Sequence, residues 1–107
     1  MRFEFHQQYS NHYTQEQERQ FTIEFEAITT AMCEAMNRGV SAHSSEVQEI
    51  VKSHYEFVSR FWTPSLTAYK NLALMYIVPS EYHDYYENIG EGLSKYTYDA
   101  ICIWADE

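Results

Sequence analysis

The segment SSEVQEIVKSHYEFVSRFWTP, residues 44–64, decides the fold. Ser44 is a short hydroxyl residue of the kind that caps a helix, accepting from backbone N–H groups that the first turn leaves without partners. After it Val47, Ile50, Val51, His54, Phe57, Val58 and Phe61 recur three and four apart, which places them on one face of a helix predicted to run to about Trp62. A helix with one long apolar face has to bury it against something, and the flanking sequence supplies the partners.

Upstream, Thr14 followed by Gln17 is a capping-box pair, and Phe21, Phe25, Ile28, Met32, Ala35 and Met36 keep helical spacing until Arg38 and Gly39 close the segment. Downstream, Thr63 and Pro64 predict a third helix with proline at its first position, carrying Leu66, Tyr69, Leu72, Ala73, Met75, Tyr76 and Ile77. Its second half is apolar all round and is expected to be buried. Pro79 and Ser80 break and recap the chain, Tyr82, Tyr85, Tyr86 and Ile89 form a short fourth face, and Gly90 and Gly92 precede a last helix. In that helix Leu93, Tyr96, Ala100, Ile101 and Trp104 face one way and Tyr98 and Cys102 another. No strand alternation competes, so the expected fold is all-α, a compact bundle of about five helices over residues 14–107. Residues 1–13, with Phe3, Phe5, Tyr9 and Tyr13, read as an N-terminal arm.

Composition narrows the function. A chain of 107 residues with 45% hydrophobic and 17% aromatic content, including ten tyrosines, folds around a single core that must also serve any site. With seven Lys and Arg against sixteen Asp and Glu, a net charge of −9 excludes a phosphate-binding groove and hence direct nucleic-acid contact. The field favours neutral or cationic ligands, weakly and subject to salt. Cys33 and Cys102 lack metal-ligand spacing, nothing resembles a signal peptide, and the longest apolar run, residues 72–78, is far short of a membrane span. A cytoplasmic protein with reduced thiols and no membrane contact is expected. No nucleophile–base spacing, GxSxG or phosphate-cradling loop is present, so no enzymatic activity and no cofactor are expected.

His54 is the odd member of the apolar face of residues 47–61. Its ordinary reading is a hydrogen-bonded core histidine, and its sharper one a group lining a pocket. Phe57, Phe61, Trp62, Tyr69, Tyr76, Tyr86, Tyr96 and Trp104 form an aromatic set on four helices. Half or more should be core, and the surplus suits a cavity with aromatic walls and a few polar tips. Met32, Met36 and Met75 either line such a pocket adaptably or fill core gaps.

The order of short motifs carries a resemblance. Tyr13-Thr14 opens the first helix, then come His54-Tyr55, Phe61-Trp62-Thr63-Pro64, Ala68-Tyr69, Leu72, Met75-Tyr76, Tyr86, Gly92-Leu93, Tyr96 and Asp99-Ala100-Ile101. From Tyr13 onward the chain resembles the TipAS antibiotic-recognition domain of MerR-family regulators. The resemblance implies a globin-like helical fold with a cleft for bulky, largely apolar antibiotics such as thiopeptides or albicidin, coupled in full-length regulators to promoter activation. The family's thiopeptide-binding member has a cysteine for covalent capture just before the Leu of its third helix. Asn71 stands there, which removes the nucleophile. That member also has a longer segment ahead of its Tyr-Thr pair, so any lid here is short, with Phe3, Phe5 and Tyr9 as its anchors.

The expected function is therefore non-enzymatic binding of a hydrophobic or aromatic antibiotic. The residues expected to line the site are Met32, His54, Phe57, Phe61, Trp62, Tyr69, Asn71, Met75, Tyr96 and Trp104, with His54, Tyr69 and Asn71 orienting the ligand. The alternative is a regulatory module docking a peptide or helix in the same cleft. Haem binding through His54 is a third and weaker analogy. Homodimerisation is left open.

Overall fold

The computed structural model describes residues 13–106. Among them the chain forms five helices and no strand: α1 (Gln15–Asn37), α2 (Ser45–Val58), α3 (Leu66–Ile77), α4 (Glu81–Ile89) and α5 (Leu93–Ala105). The local signals that start α1, α2 and α4 act as expected. Thr14 and Gln17 complete a reciprocal capping box at 2.9 and 3.0 Å. Ser44 accepts from the Val47 amide and Ser80 from that of His83. Gly39 follows the end of α1 at φ +76°, a left-handed conformation that glycine adopts without steric penalty.

Two boundaries differ from the sequence reading. α2 ends at Val58 rather than near Trp62, because residues 59–61 tighten into a turn in which the amides of Arg60 and Phe61 reach the carbonyls of Phe57 and Val58. That turn keeps nearly the same periodicity, so Phe61 still points inward at 8% exposure. α3 begins at Leu66 rather than Pro64, since Ser65 is the cap and accepts from the Ala68 amide at 3.1 Å. Pro64 is buried ahead of it, and its carbonyl accepts from the Tyr55 hydroxyl at 2.8 Å.

The core is one cluster fed by every helix. α1 contributes Phe25, Met32, Cys33 and Ala35, and α2 contributes Val47, Val51, Phe57 and Val58. α3 adds Tyr69, Ala73 and Tyr76, α4 adds Tyr86, and α5 adds Leu93, Ala100 and Ile101. Each large apolar side chain so buried contributes roughly 1.5–3 kcal/mol. α3 and α5 make the most extensive helix pair, α1 packs on α2, and α4 closes against α3 and α5. Polar ties fix the registers. Gln48 Nε2 donates to the carbonyls of Ala42 and Ala100, and the Tyr96 hydroxyl donates to Val40 at 2.6 Å.

The expectation that the second half of α3 is buried all round does not hold. Tyr69, Ala73 and Tyr76, four and three apart, take the inner face, and Leu74, Met75 and Val78 are 39–41% exposed on the outer one. With α4 and α5 both packed along its inner side, α3 has no helix beyond it among the described residues. None of the helices is long and apolar enough to cross a membrane.

Candidate ligand-binding site

α1 carries two rings on the side that faces α2 and α4, Phe21 half-buried and Phe25 buried. From them a continuous series of aromatic contacts extends in both directions. Tyr13, Phe21 and Phe61 meet edge to face at centroid distances of 4.8–5.9 Å. Phe61 continues to Phe57 at 5.3 Å and Phe57 to Phe25 at 5.7 Å. Phe25 touches Tyr85 and Tyr86, and Tyr76 extends the series to Tyr86 at 4.6 Å and Tyr82 at 6.2 Å. This aromatic wall runs from the start of α1, over the end of α2, to the end of α3 and α4. Its outer members, Tyr13, Phe21, Tyr82 and Tyr85, are half-buried, so their faces or edges are within reach of a ligand. Arg60, paired with Glu24 at 2.9 Å, holds its guanidinium 5.2 Å from the Phe57 ring centre at the rim.

A second, smaller group lies on the far side of His54. Tyr55, Tyr69 and Trp104 pack with centroids 4.8–5.8 Å apart, bringing α2, α3 and α5 together. Burial raises the Tyr69 phenol far above its ordinary range, with the nearby Tyr76 and Tyr55 adding to it, so the hydroxyl stays protonated. Burial likewise keeps the Tyr86 phenol protonated. Burial lowers His54 to about 4, so its imidazole is neutral.

The residues proposed from the sequence distribute over three environments. Phe57 and Phe61 belong to the wall, and half-buried Trp62 follows them along the chain. Met32, His54 and Tyr69 are 0–2% exposed within the core. Trp104 and Tyr96 are half-buried on α5, Tyr96 tied to Val40, and Asn71 and Met75 stand exposed on the outer part of α3. The structure therefore does not gather these residues in one place. Phe21, Phe25, Tyr82 and Tyr85 were absent from the set, though each is visible in the sequence as a member of an apolar face. Phe3, Phe5 and Tyr9 lie outside the described residues. Both ring nitrogens of His54 meet tyrosine hydroxyls, which leaves neither aimed at an open position for a haem iron.

An all-α domain whose helices share an aromatic wall agrees with the family comparison, in which the TipAS antibiotic-recognition domain matches residues 3–104. The chain belongs to the TipAS family. This TipAS domain is also 31% identical over 88 residues to the HTH-type transcriptional regulator SkgA of Caulobacter vibrioides, found in two strains. The alignment covers 80% of the chain and 34% of the regulator, so the TipAS domain spans about a third of the length of the curated relatives it matches. No solved structure matches it. The family is one of antibiotic-recognition domains, and the relative is named as a transcriptional regulator.

Proposed function

We propose that this domain binds a bulky, largely apolar and aromatic antibiotic at the wall formed by Phe21, Phe25, Phe57, Phe61, Tyr82 and Tyr85. It acts non-enzymatically in the cytoplasm, as the effector-sensing part of a regulator or as a drug-sequestering protein. The observation that carries the reading is the unbroken ring-to-ring series from Tyr13 to Tyr82, whose outer members are half-buried. Such a surface offers π-faces to a planar ligand and tyrosine hydroxyls to its polar edges. Affinity would come from apolar burial at about 25 cal/mol per Å², with each good aromatic contact adding roughly 0.5–1.5 kcal/mol. The net charge of −9 favours neutral or cationic compounds and leaves nucleic-acid contact to another part of any longer regulator.

A thermal-shift screen against thiopeptides, albicidin-like aromatics and other hydrophobic antibiotics tests this. A ligand at about 100 times its Kd stabilises by roughly 2.7 kcal/mol. Phe21→Ala and Tyr85→Ala should remove the shift while the domain still melts cooperatively. A shift lost instead in Trp104→Ala would move the site to the group around Tyr55 and Tyr69.

One observation favours a second reading. Leu74, Met75 and Val78 expose 39–41% of their surface at the end of α3, an apolar patch suited to a peptide or helix. That reading predicts no small-molecule shift anywhere in the panel, and loss of a protein partner on Met75→Glu.

A further inference from the structure

His54 stands between the two aromatic groups, its ring centre 6.2 Å from Phe25, 6.1 Å from Tyr76 and 5.6 Å from Tyr69. At 2% exposure it lies behind the wall rather than on its surface. Its Nδ1 is 2.6 Å from the Tyr69 hydroxyl and its Nε2 is 3.3 Å from that of Tyr76. Tyr69 and Tyr76 are two turns apart on the inner face of α3, so one imidazole on α2 grips α3 at two points. In the neutral ring one nitrogen carries the proton and donates to its tyrosine oxygen, and the other accepts from its tyrosine hydroxyl.

Tyr76 also links α3 to α4. Its ring packs on Tyr86 and Tyr82, and its carbonyl accepts from His83 Nδ1–H at 2.9 Å. Among the described residues three aromatic rings meet the His54 ring: Tyr69 and Tyr76 from α3, and Phe25, which does not titrate, from α1. Burial alone, with no charged neighbour contributing, keeps the ring neutral.

We infer that His54 is a positioning residue for the wall: through Nε2 it fixes the buried Tyr76 ring, and through its packing on Tyr86 and Tyr82 the orientation in which Tyr82 meets a ligand. This rests on the wall being the ligand site. It gives His54 a role two rings removed from any ligand, and it separates the work of its two nitrogens. The Nδ1 bond to Tyr69 holds α2 on α3, and the Nε2 bond to Tyr76 shapes the site.

Two amide substitutions distinguish these roles, because an asparagine side chain reaches the place of Nδ1 and a glutamine side chain that of Nε2. The full chain carrying His54→Gln or His54→Asn is compared with Tyr76→Phe, which keeps the ring and removes the hydroxyl. The readouts are the aromatic NMR signals of Tyr82 and Tyr86 and the affinity for Nile red, a neutral aromatic dye. His54→Gln should retain the wild-type ring signals and dye affinity. His54→Asn and Tyr76→Phe should shift those signals and weaken the dye about five- to tenfold, the worth of one neutral hydrogen bond. Equal effects of the two amide variants, or unmoved Tyr82 and Tyr86 signals in Tyr76→Phe, overturn the inference. If His54→Asn fails to fold, Tyr76→Phe still decides it. Dye binding that ignores Phe21→Ala and Tyr85→Ala would instead displace the proposed ligand site, and the ring signals would still judge the role of His54.

Discussion

The Tyr69 hydroxyl lies 2.6 Å from Nδ1 of His54, with Tyr69 fully buried and His54 2% exposed. Neither partner can exchange this bond for water, so the protonation state of the imidazole becomes a property of the fold. Burial lowers His54 from an ordinary 6.5 to about 4, and the native state binds fewer protons than the unfolded chain between those values. The stability linked to neutral His54 is fully present above about pH 6.5 and is lost as pH falls through about 4. It amounts to roughly 3 kcal/mol, at about 1.4 kcal/mol per pH unit of difference. Urea midpoints at pH 7.5, 6 and 5 should fall steadily in the wild type and more shallowly in His54→Gln. Parallel slopes would show that the imidazole is solvated after all.

Glu87 substitutes for a cap that α5 lacks. Gly92 at the N-cap has no side chain, and the Glu87 carboxylate accepts from the amides of Gly92 and Ser94 at 3.0 Å and from the Ser94 hydroxyl at 2.6 Å. Glu87→Ala should lower stability by about 1 kcal/mol, as for other lost N-caps. These bonds, that from Gly92 foremost, hold the Glu87 carboxyl below its ordinary 4.5. The carboxylate's contribution is thus fully present above that value and is lost as pH falls through the lowered folded-state value. Denaturation of the two proteins at pH 7 and pH 3 should show a gap that narrows in acid.

Gly90 approaches α1 so closely that a Cβ there would sit 2.8 Å from Cys33 Sγ. Gly90→Ala should destabilise by about 1–3 kcal/mol, because the core must shift to admit one methyl. Adding Cys33→Ala makes room for that methyl, so the double variant should be more stable than the sum of the single effects predicts. Additivity in calorimetry would show that the clash is relieved some other way.

Tyr55→Phe isolates a hydrogen bond from its ring. The hydroxyl donates to the Pro64 carbonyl at 2.8 Å, and the ring packs on Tyr69 and Trp104 at 4.8 and 4.9 Å. The variant keeps the packing, loses about 1 kcal/mol and should lower Tm by roughly 4–8 °C. An unchanged Tm would mean that water replaces the hydroxyl at the Pro64 carbonyl.

What the sequence alone determined was local. Thr14 with Gln17, Ser44, Ser80 and Gly39 act through atoms within a few residues of themselves, so the caps, the breaks and the all-α class could be read directly. The inner face of α2 was legible too, because Val47, Val51 and His54 keep helical spacing among polar neighbours, whereas that of α3 was not, since Tyr69, Ala73 and Tyr76 stand among equally apolar residues. Tertiary structure decided everything that required knowing which face meets which helix. Leu74 and Met75 are as apolar as Ala73, yet they lie outside because α4 and α5 cover only one side of α3. Phe21, Phe25, Tyr82 and Tyr85 read as members of separate faces, and only the packing of α1 against α2 and α4 joins them into a wall. His54 was visible as a polar residue on an apolar face, but its partners lie 15 and 22 residues away. Spacing repeats with the helix pitch and so encodes direction around one axis. The distance and crossing of two axes depend on side chains from both, and that information no single segment holds.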